Sequence, residues 1–112
     1  MRSPVSDLQV LHYAERVVVK TATDGEDIYG PGEPVEFLAV VGVPRGEVAA
    51  AMYGAKLPSV RTLTTGSVRL REGMYVWLDA METGKPDYTV IADRSTARQY
   101  TCDVGKRGAF GG

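Results

Sequence analysis

The chain contains one histidine and one cysteine, His12 and Cys102, and these side chains are the best suited to catalysis or metal binding. A Ser-His-Asp site would have to use His12, which lies at the edge of a predicted N-terminal arm rather than on a rigid frame. A zinc site would need carboxylates to complete its ligand set, at spacings that the sequence does not show. We therefore predict a non-enzymatic protein with no metal and no cofactor, in which Cys102 is a small buried side chain on a strand.

The segment from residue 24 to residue 36 is acidic and contains no basic residue. An EF-type calcium loop needs oxygen ligands at its first, third and fifth positions and a glycine at its sixth, and Asp24-Gly25-Glu26-Asp27 departs from that order. The glycine pairs at residues 30–32 and 105–108 do not open a convincing helix, which a phosphate-binding loop requires. The acidic segment is more simply a solvated loop.

Four aromatic residues, Tyr75, Trp77, Tyr88 and Tyr100, fall on strands that we predict to be neighbours. Such a patch can bind sugars, peptides or bases. More often, aromatic residues on a sheet are half-buried packing or part of a subunit interface, and we favour that interpretation.

The charges are balanced in number but segregated along the chain. Lysine plus arginine total 13 and aspartate plus glutamate total 14, so composition predicts no general attraction to nucleic acid or membranes. The last fifth of the chain is basic, with Arg94, Arg98, Lys106 and Arg107. The first ten residues lack the apolar region of a signal peptide, and no run approaches the length of a membrane span, which predicts a cytoplasmic site of synthesis and no membrane partner.

Alternating apolar residues and frequent turn residues predict an all-β domain. Two alternating runs flank the turn-rich connection Glu82-Thr83-Gly84-Lys85-Pro86, which is typical of a β-hairpin. The predicted strands are 14–22, 35–43, 59–65, 74–78, 88–92 and 97–104, and residues 47–53 have helix formers with Gly54 as a C-cap. This is a small antiparallel β-barrel of about six strands, with one short helix or long loop between strands two and three. The domain boundaries are an arm at 1–12, the barrel at 13–104 and a flexible glycine-rich tail at 105–112.

The shared phase of the alternating strands predicts the core. The strand 35–43 carries apolar residues on both faces, so we expect it to be central and covered on both sides. The segment 23–33 is predicted to be a loop with a turn at Asp24-Gly25. The predicted core residues are Val17, Val19, Phe37, Ala39, Val41, Val76, Leu78, Val90 and Cys102.

Two short motifs stand at the predicted hairpin. They are Glu72-Gly73-Met74-Tyr75-Val76-Trp77-Leu78, of the type EGxxVxL, and Asp87-Tyr88-Thr89-Val90, of the type DYxV. A loop with Asp24-Gly25 and Tyr29-Gly30 and a Tyr53-Gly54 segment precede them. In its motifs and in the order of its segments the chain resembles the head-closure, or stopper, proteins of long-tailed bacteriophages. The resemblance covers residues 14–104 and leaves the predicted N-terminal arm and the tail unassigned.

The resemblance implies a structural protein of the virion neck that retains packaged DNA and offers a docking surface to the tail. It implies a homo-oligomeric ring of about six or twelve copies, in contact with an adaptor or portal-side protein, with a tail or tail-terminator protein, and in passing with double-stranded DNA. The candidate channel-lining and gating residues are Asp24, Glu26, Asp27 and Glu33. The candidate interface residues are Tyr53, Tyr75, Trp77, Arg94 and Arg98.

Two other classes remain open at this stage. A tail terminator or another virion ring protein would share the small-barrel architecture. A stand-alone β-barrel binding module would use the aromatic patch for a ligand. Assembly onto a portal–adaptor complex favours the stopper, whereas a lone monomer that binds a small ligand favours the module.

Overall fold

The computed structural model describes residues 8–110, which form β-strands, one α-helix and one 3₁₀ helix. Helix α1 spans Gly46–Tyr53 and continues into the 3₁₀ helix Gly54–Ser59. The strands are β1 Leu8–Ala14, β2 Arg16–Thr21, β3 Asp27–Pro31, β4 Val35–Gly42, β5 Val60–Thr65, β6 Tyr75–Trp77, β7 Tyr88–Asp93 and β8 Tyr100–Lys106.

Six of the strands close into an antiparallel barrel in the order β1-β4-β5-β8-β7-β6. The register pairs inward-facing residues across the strands, as in Leu11 opposite Phe37 and Leu63 opposite Cys102. Helix α1 lies between β4 and β5, the second and third strands of the barrel along the chain. The prediction of a small all-β barrel with one inserted helix is therefore confirmed, and closure leaves the barrel strands without a free edge.

The barrel core follows the predicted alternation on most strands. Its central side chains include Leu63, Val76 and Val104, none of which is exposed to solvent. Of the predicted core residues, Val41 and Leu78 pack against the core while remaining partly accessible. Those that are fully buried are Phe37, Ala39, Val76, Val90 and Cys102.

The prediction that Val17 and Val19 belong to the core is wrong. These residues lie on β2, which pairs only with β3 in a separate two-stranded sheet, and every residue of β2 is exposed. The predicted single strand 14–22 is divided at Glu15, where the chain leaves the barrel. The predicted loop 23–33 contains β3, so the segment is a hairpin whose turn includes Asp24 and Gly25.

The domain boundaries also change at both ends. Residues 8–12 are part of β1 and pair with β4 and β6, so they belong to the barrel and not to an arm. At the other end β8 continues to Lys106, and the ring of Phe110 packs edge-on against Tyr53. The predicted tail is therefore ordered through residue 110, and residues 1–7, 111 and 112 lie outside the described residues.

Helix α1 lies over the outer side of β8. The helix agrees with the predicted segment, and its C-cap Gly54 has a φ of 53°, a backbone conformation that favours glycine. Its Tyr53 lies over Asp103 of β8, whereas the outer face of β4 keeps Leu38 exposed. The prediction that β4 is covered on both faces is therefore wrong.

A matched pair of substitutions tests where these valines lie. We expect Val104→Thr to lower the free energy of unfolding by about 1–3 kcal/mol because it places a hydroxyl in the apolar core. The same change at exposed Val19 should stay within about 0.5 kcal/mol. Urea denaturation of both variants measures the difference, and equal losses would contradict the placement of β2 outside the core.

Candidate functional site

The residues that could carry catalysis lie apart from one another. His12 faces outward on β1, where its Nδ1 lies 3.9 Å from Oε2 of Glu82. Cys102 is buried in the core, and this burial raises the pKa of its thiol to about 12, so the thiol is protonated at neutral pH. Across residues 8–110 no group of three or more His, Cys, Asp and Glu residues could hold a metal ion.

The hairpin of β2 and β3 forms a sheet separate from the barrel. We call this hairpin the arm, and it is distinct from the N-terminal arm predicted at residues 1–12. Val17 and Val19 lie on one face of the arm, against Gly30 and Gly32. Val18 and Tyr29 form a cross-strand pair on the other face. The guanidinium of Arg16 lies over the ring of Tyr29, 4.4 Å from its centre. The exposed apolar side chains of the arm are Val17, Val18, Val19, Ile28 and Tyr29.

A hairpin of this kind gains little stability from contacts within its own chain. A two-stranded hairpin alone is marginally stable in water, and this one exposes apolar side chains on both faces. Its outer edges carry backbone groups that no strand within residues 8–110 pairs. The arrangement is suited to a ribbon that lies against other protein surfaces.

The turn of the arm is acidic, and we call residues 22–27 the acidic tip. The Ala22 carbonyl accepts a hydrogen bond from the Gly25 amide, and Gly25 has a φ of 90°. The carboxylate of Asp24 accepts a hydrogen bond from the Glu26 amide, which fixes the turn. Among the ion pairs of residues 8–110, none involves Asp24, Glu26 or Asp27.

The structure separates the four predicted channel-lining residues. Asp24, Glu26 and Asp27 share the acidic tip, whereas Glu33 follows β3 at the base of the arm, next to the barrel. Glu33 is therefore not part of the same acidic group. The channel-lining role of the other three residues stays a prediction, but their carrier is a β-hairpin rather than a loop.

A second exposed apolar surface runs along the outside of β1 and β4, and we call it the outer stripe. It consists of two cross-strand pairs, Leu8 opposite Val40 and Val10 opposite Leu38. Leu8, Val10 and Leu38 are exposed, and Val40 is half-buried. The pair that follows along the strands is His12 opposite Glu36, which ends the stripe with a carboxylate.

At the end of the stripe formed by Leu8 and Val40 lies an open cleft of about 440 Å³. Leu8 and Val40 form one wall, and the turn that contains Arg98 forms the other. The hydroxyl of Thr96 accepts hydrogen bonds from the amides of Arg98 and Gln99 and so fixes this turn. Arg98 is exposed and is the one charged residue among the described residues, 8–110, that line the cleft.

A buried carboxylate on the opposite side of the barrel joins α1 to β8 and β7. Asp103 accepts hydrogen bonds from the hydroxyl of Tyr53 at 2.5 Å, from the hydroxyl of Thr62 at 3.0 Å and from two nitrogens of Arg94 at 2.8 and 3.1 Å. The hydrogen bond to Asp103 raises the pKa of the Arg94 guanidinium. The pKa of the Tyr53 hydroxyl is also raised, first by burial and then by the hydrogen bond to Asp103.

This carboxylate has little remaining capacity for a ligand. Its four acceptor positions are occupied by the three side chains, so it serves to hold α1 against the barrel. A shallow cavity of about 270 Å³ beside it is lined partly by Val48 and Met52 of α1. Although Asp103 borders this cavity, its carboxylate has no free acceptor position for a substrate.

The predicted interface residues have different surroundings. Tyr75 and Trp77 are buried, so their inclusion in a partner-contacting surface is corrected. Arg107 lies 5.2 Å from the Tyr75 ring, and the indole nitrogen of Trp77 donates a hydrogen bond to the Gly84 carbonyl at 2.9 Å. The residues that remain candidates for contacts are Tyr53, Arg94 and Arg98.

The loop over Trp77 is fixed by Asp87, a residue that the motif Asp-Tyr-x-Val contains. Its carboxylate accepts hydrogen bonds from the amides of Leu78, Asp79 and Ala80. A carboxylate that receives several backbone amides fixes a loop firmly. The two halves of the sequence motif therefore come together as structural elements of one hairpin connection.

Sequence reasoning did not identify Asp103, the outer stripe or the apolar character of β3. Alternation placed Asp103 on the outward side of β8, but the cover that α1 provides has no local sequence signal. The sequence-based prediction places Leu8 and Val10 in the N-terminal arm at residues 1–12. Their alternation with Leu11 on a seven-residue strand could have indicated β1. Ile28 and Tyr29 were read as part of a loop because glycine and proline follow them.

Comparisons with known proteins add no family to this description. No family model, no curated protein and no solved structure matches the chain. Across residues 8–110, no helix combines the length and the apolar character that crossing a bilayer requires.

Proposed function

We propose that this chain is a structural subunit of the head-to-tail connector of a long-tailed bacteriophage. In this role it forms a ring that closes the filled head, retains the packaged DNA and offers a docking surface to the tail. The observation that carries the proposal is the arm, since a closed barrel with an exposed hairpin that is apolar on both faces suits a subunit built for assembly. The family motifs quoted above support the specific assignment.

The partners follow from the same proposal. Copies of the chain form a ring in the virion neck after synthesis in the host bacterial cytoplasm, with an adaptor or portal-side protein above and a tail or tail-terminator protein below. Double-stranded DNA passes through the ring and makes only transient contact. Strong phosphate binding would oppose DNA release, because each neutralised phosphate adds salt-dependent affinity.

A tail terminator or another virion ring protein is the second candidate, because the arm supports ring assembly without fixing the position in the neck. A stand-alone binding module receives less support from the surface. Of the four aromatic residues that it would use, Tyr75, Trp77 and Tyr88 are buried, and Tyr100 is half-buried in the lining of the cleft. An enzyme receives the least support because His12 and Cys102 are separated and the hydrogen-bonding capacity of Asp103 is used within the protein.

Labelling and gene disruption test the neck assignment in the phage that encodes the chain. Immunogold labelling of mature particles should place the chain at the junction of head and tail. Disrupting its gene should yield heads that lose DNA and do not join tails, and supplying the chain in trans should restore infectivity. Absence of the chain from mature particles would contradict the proposal, and labelling at the tail-proximal end with stable filled heads would favour the tail terminator.

A further inference from the structure

We propose that copies of this chain join head to tail, with the arm of one subunit lying on the outer stripe of the next and its acidic tip in the cleft beside Arg98. This inference rests on the proposed ring-forming function and names the two surfaces that form the ring contact. The occupant of the stripe is a second copy of the chain. The contact would be made by side chains across two sheet faces, since the closed barrel leaves no strand edge for backbone pairing.

The arm does not cover the stripe of its own subunit, whose side chains Leu8, Val10 and Leu38 are exposed. It continues the ribbon of β1 and β4 beyond the barrel, and the Gly32 amide donates a hydrogen bond to the Glu15 carbonyl at the junction. Leu8 pairs with Val40 at one end of this path, and Thr21 pairs with Asp27 at the other. The molecule is elongated, with a longest dimension of 54 Å, and the two surfaces lie at opposite ends of the ribbon.

The charges of the two surfaces are complementary. The acidic tip carries three carboxylates, and among the described residues that line the cleft the charged one is Arg98. Contact between two tips would bring like charges together, and so would contact between two clefts. The charges therefore favour contact of tip with cleft over contact between two tips or two clefts, and such contacts generate a ring when they are heterologous and the rotation closes.

The order of side chains along the two surfaces also agrees. From the tip toward the base, the arm presents carboxylates, then Lys20 opposite Ile28, then the apolar pair of Val18 and Tyr29, then Arg16. From the cleft, the barrel presents Arg98, then the apolar pairs of the outer stripe, then Glu36. An arm laid along the stripe with its tip at the cleft thus pairs opposite charges at both ends and apolar side chains between them.

Disulfide cross-linking tests the contact directly, even where association is weak. One variant carries Thr23→Cys at the tip, a second carries Ala97→Cys in the cleft, and both positions are exposed. Buried Cys102, whose thiol has a raised pKa, provides a silent background. Oxidation of the mixture should give a covalent dimer of the two variants, whereas either variant alone should give at least about tenfold less.

Charge reversal then tests the ionic part of the contact. Glu26→Lys on the tip variant, or Arg98→Glu on the cleft variant, should each lower the yield of mixed dimer by about tenfold. Combining the two reversals should restore it, which a purely structural effect of either change would not do. Glu33→Lys and Arg45→Glu are the matched controls, since they change exposed charges away from the tip and the cleft and should leave the yield unchanged.

Three outcomes would overturn the inference. The first is a mixture of the cysteine variants that gives no mixed dimer. The second is a yield that ignores both reversals. The third is a chain with Asp24, Glu26 and Asp27 all changed to lysine that assembles normally but slows DNA ejection, which would place the tip in the channel. In each case, labelling of the neck in mature particles would leave the proposed connector function standing.

Discussion

Replacing Arg94 with alanine is expected to lower the free energy of unfolding by about 1–3 kcal/mol. The carboxylate of Asp103 is 2 % exposed in the parent chain, and the variant removes the guanidinium that donates two hydrogen bonds to it. Tyr53 and Thr62 alone would then have to stabilise a buried charge. Arg94 is half exposed whereas Asp103 is buried, so removing the arginine leaves a buried charge that keeps part of its desolvation penalty.

A double-mutant cycle separates this effect from the loss of side-chain packing. Asp103→Asn removes the charge but keeps the size of the side chain, so adding it to Arg94→Ala should recover part of the lost stability. Arg98→Ala is the control, because Arg98 is an exposed arginine four positions along the chain and should change stability by no more than about 0.5 kcal/mol. Urea unfolding that gives Arg94→Ala and Arg98→Ala the same stability would contradict the importance of the pair.

The same cluster explains why α1 stays in place with few buried side chains. Ala49 is its buried residue, and Val48 and Met52 remain exposed. The hydrogen bond from Tyr53 to Asp103 and the edge-on contact of Tyr53 with Phe110 supply the remaining attachment. Loss of Arg94 should therefore loosen α1 before the barrel strands, and hydrogen exchange of the α1 amides would report it.

The sequence predicted the barrel better than it predicted the surfaces. Alternation assigned Val76, Val90 and Cys102 to the core correctly, because strands with one face on the core repeat their apolar residues with a period of two. The helix before Gly54 was found for a similar local reason, since its helix formers and its C-cap are adjacent in the chain. These features depend on neighbours in sequence.

Val17 and Val19 show where that reasoning fails. Their alternation indicates a strand with an apolar face, but it does not say whether the same chain or another copy covers that face. Asp103 shows the converse, because its polarity correctly indicates the outside of β8 but gives no sign that Tyr53 will cover it. Both errors concern contacts between segments distant in sequence, for which a period in one strand carries no information.

Deleting the arm is expected to abolish self-association while leaving the barrel folded. Residues 16–31 would be replaced by a short Gly-containing turn, which is feasible because the Gly32 amide and the Glu15 carbonyl already meet at 2.8 Å. No barrel strand pairs with β2 or β3, so the melting temperature should remain within a few degrees of the parent value. The deletion removes Val18 and Tyr29, the apolar pair that faces the stripe, and burying these two side chains between subunits would contribute enough to change the association constant by about a hundredfold or more.

Sedimentation velocity over a range of concentrations, followed by a plaque assay with the variant as the sole copy, measures the consequence of this deletion. The matched control is Met81→Ala in the chain that keeps its arm. Met81 is an exposed apolar residue in the loop over Trp77 and lies on neither the arm nor the outer stripe. The control should assemble and support plaques, whereas the deletion should give folded monomers and heads that do not hold their DNA. A folded deletion variant that still forms rings would show that the apolar arm is not the element that joins the subunits, because no ring contact could then depend on Val17, Val18 or Tyr29.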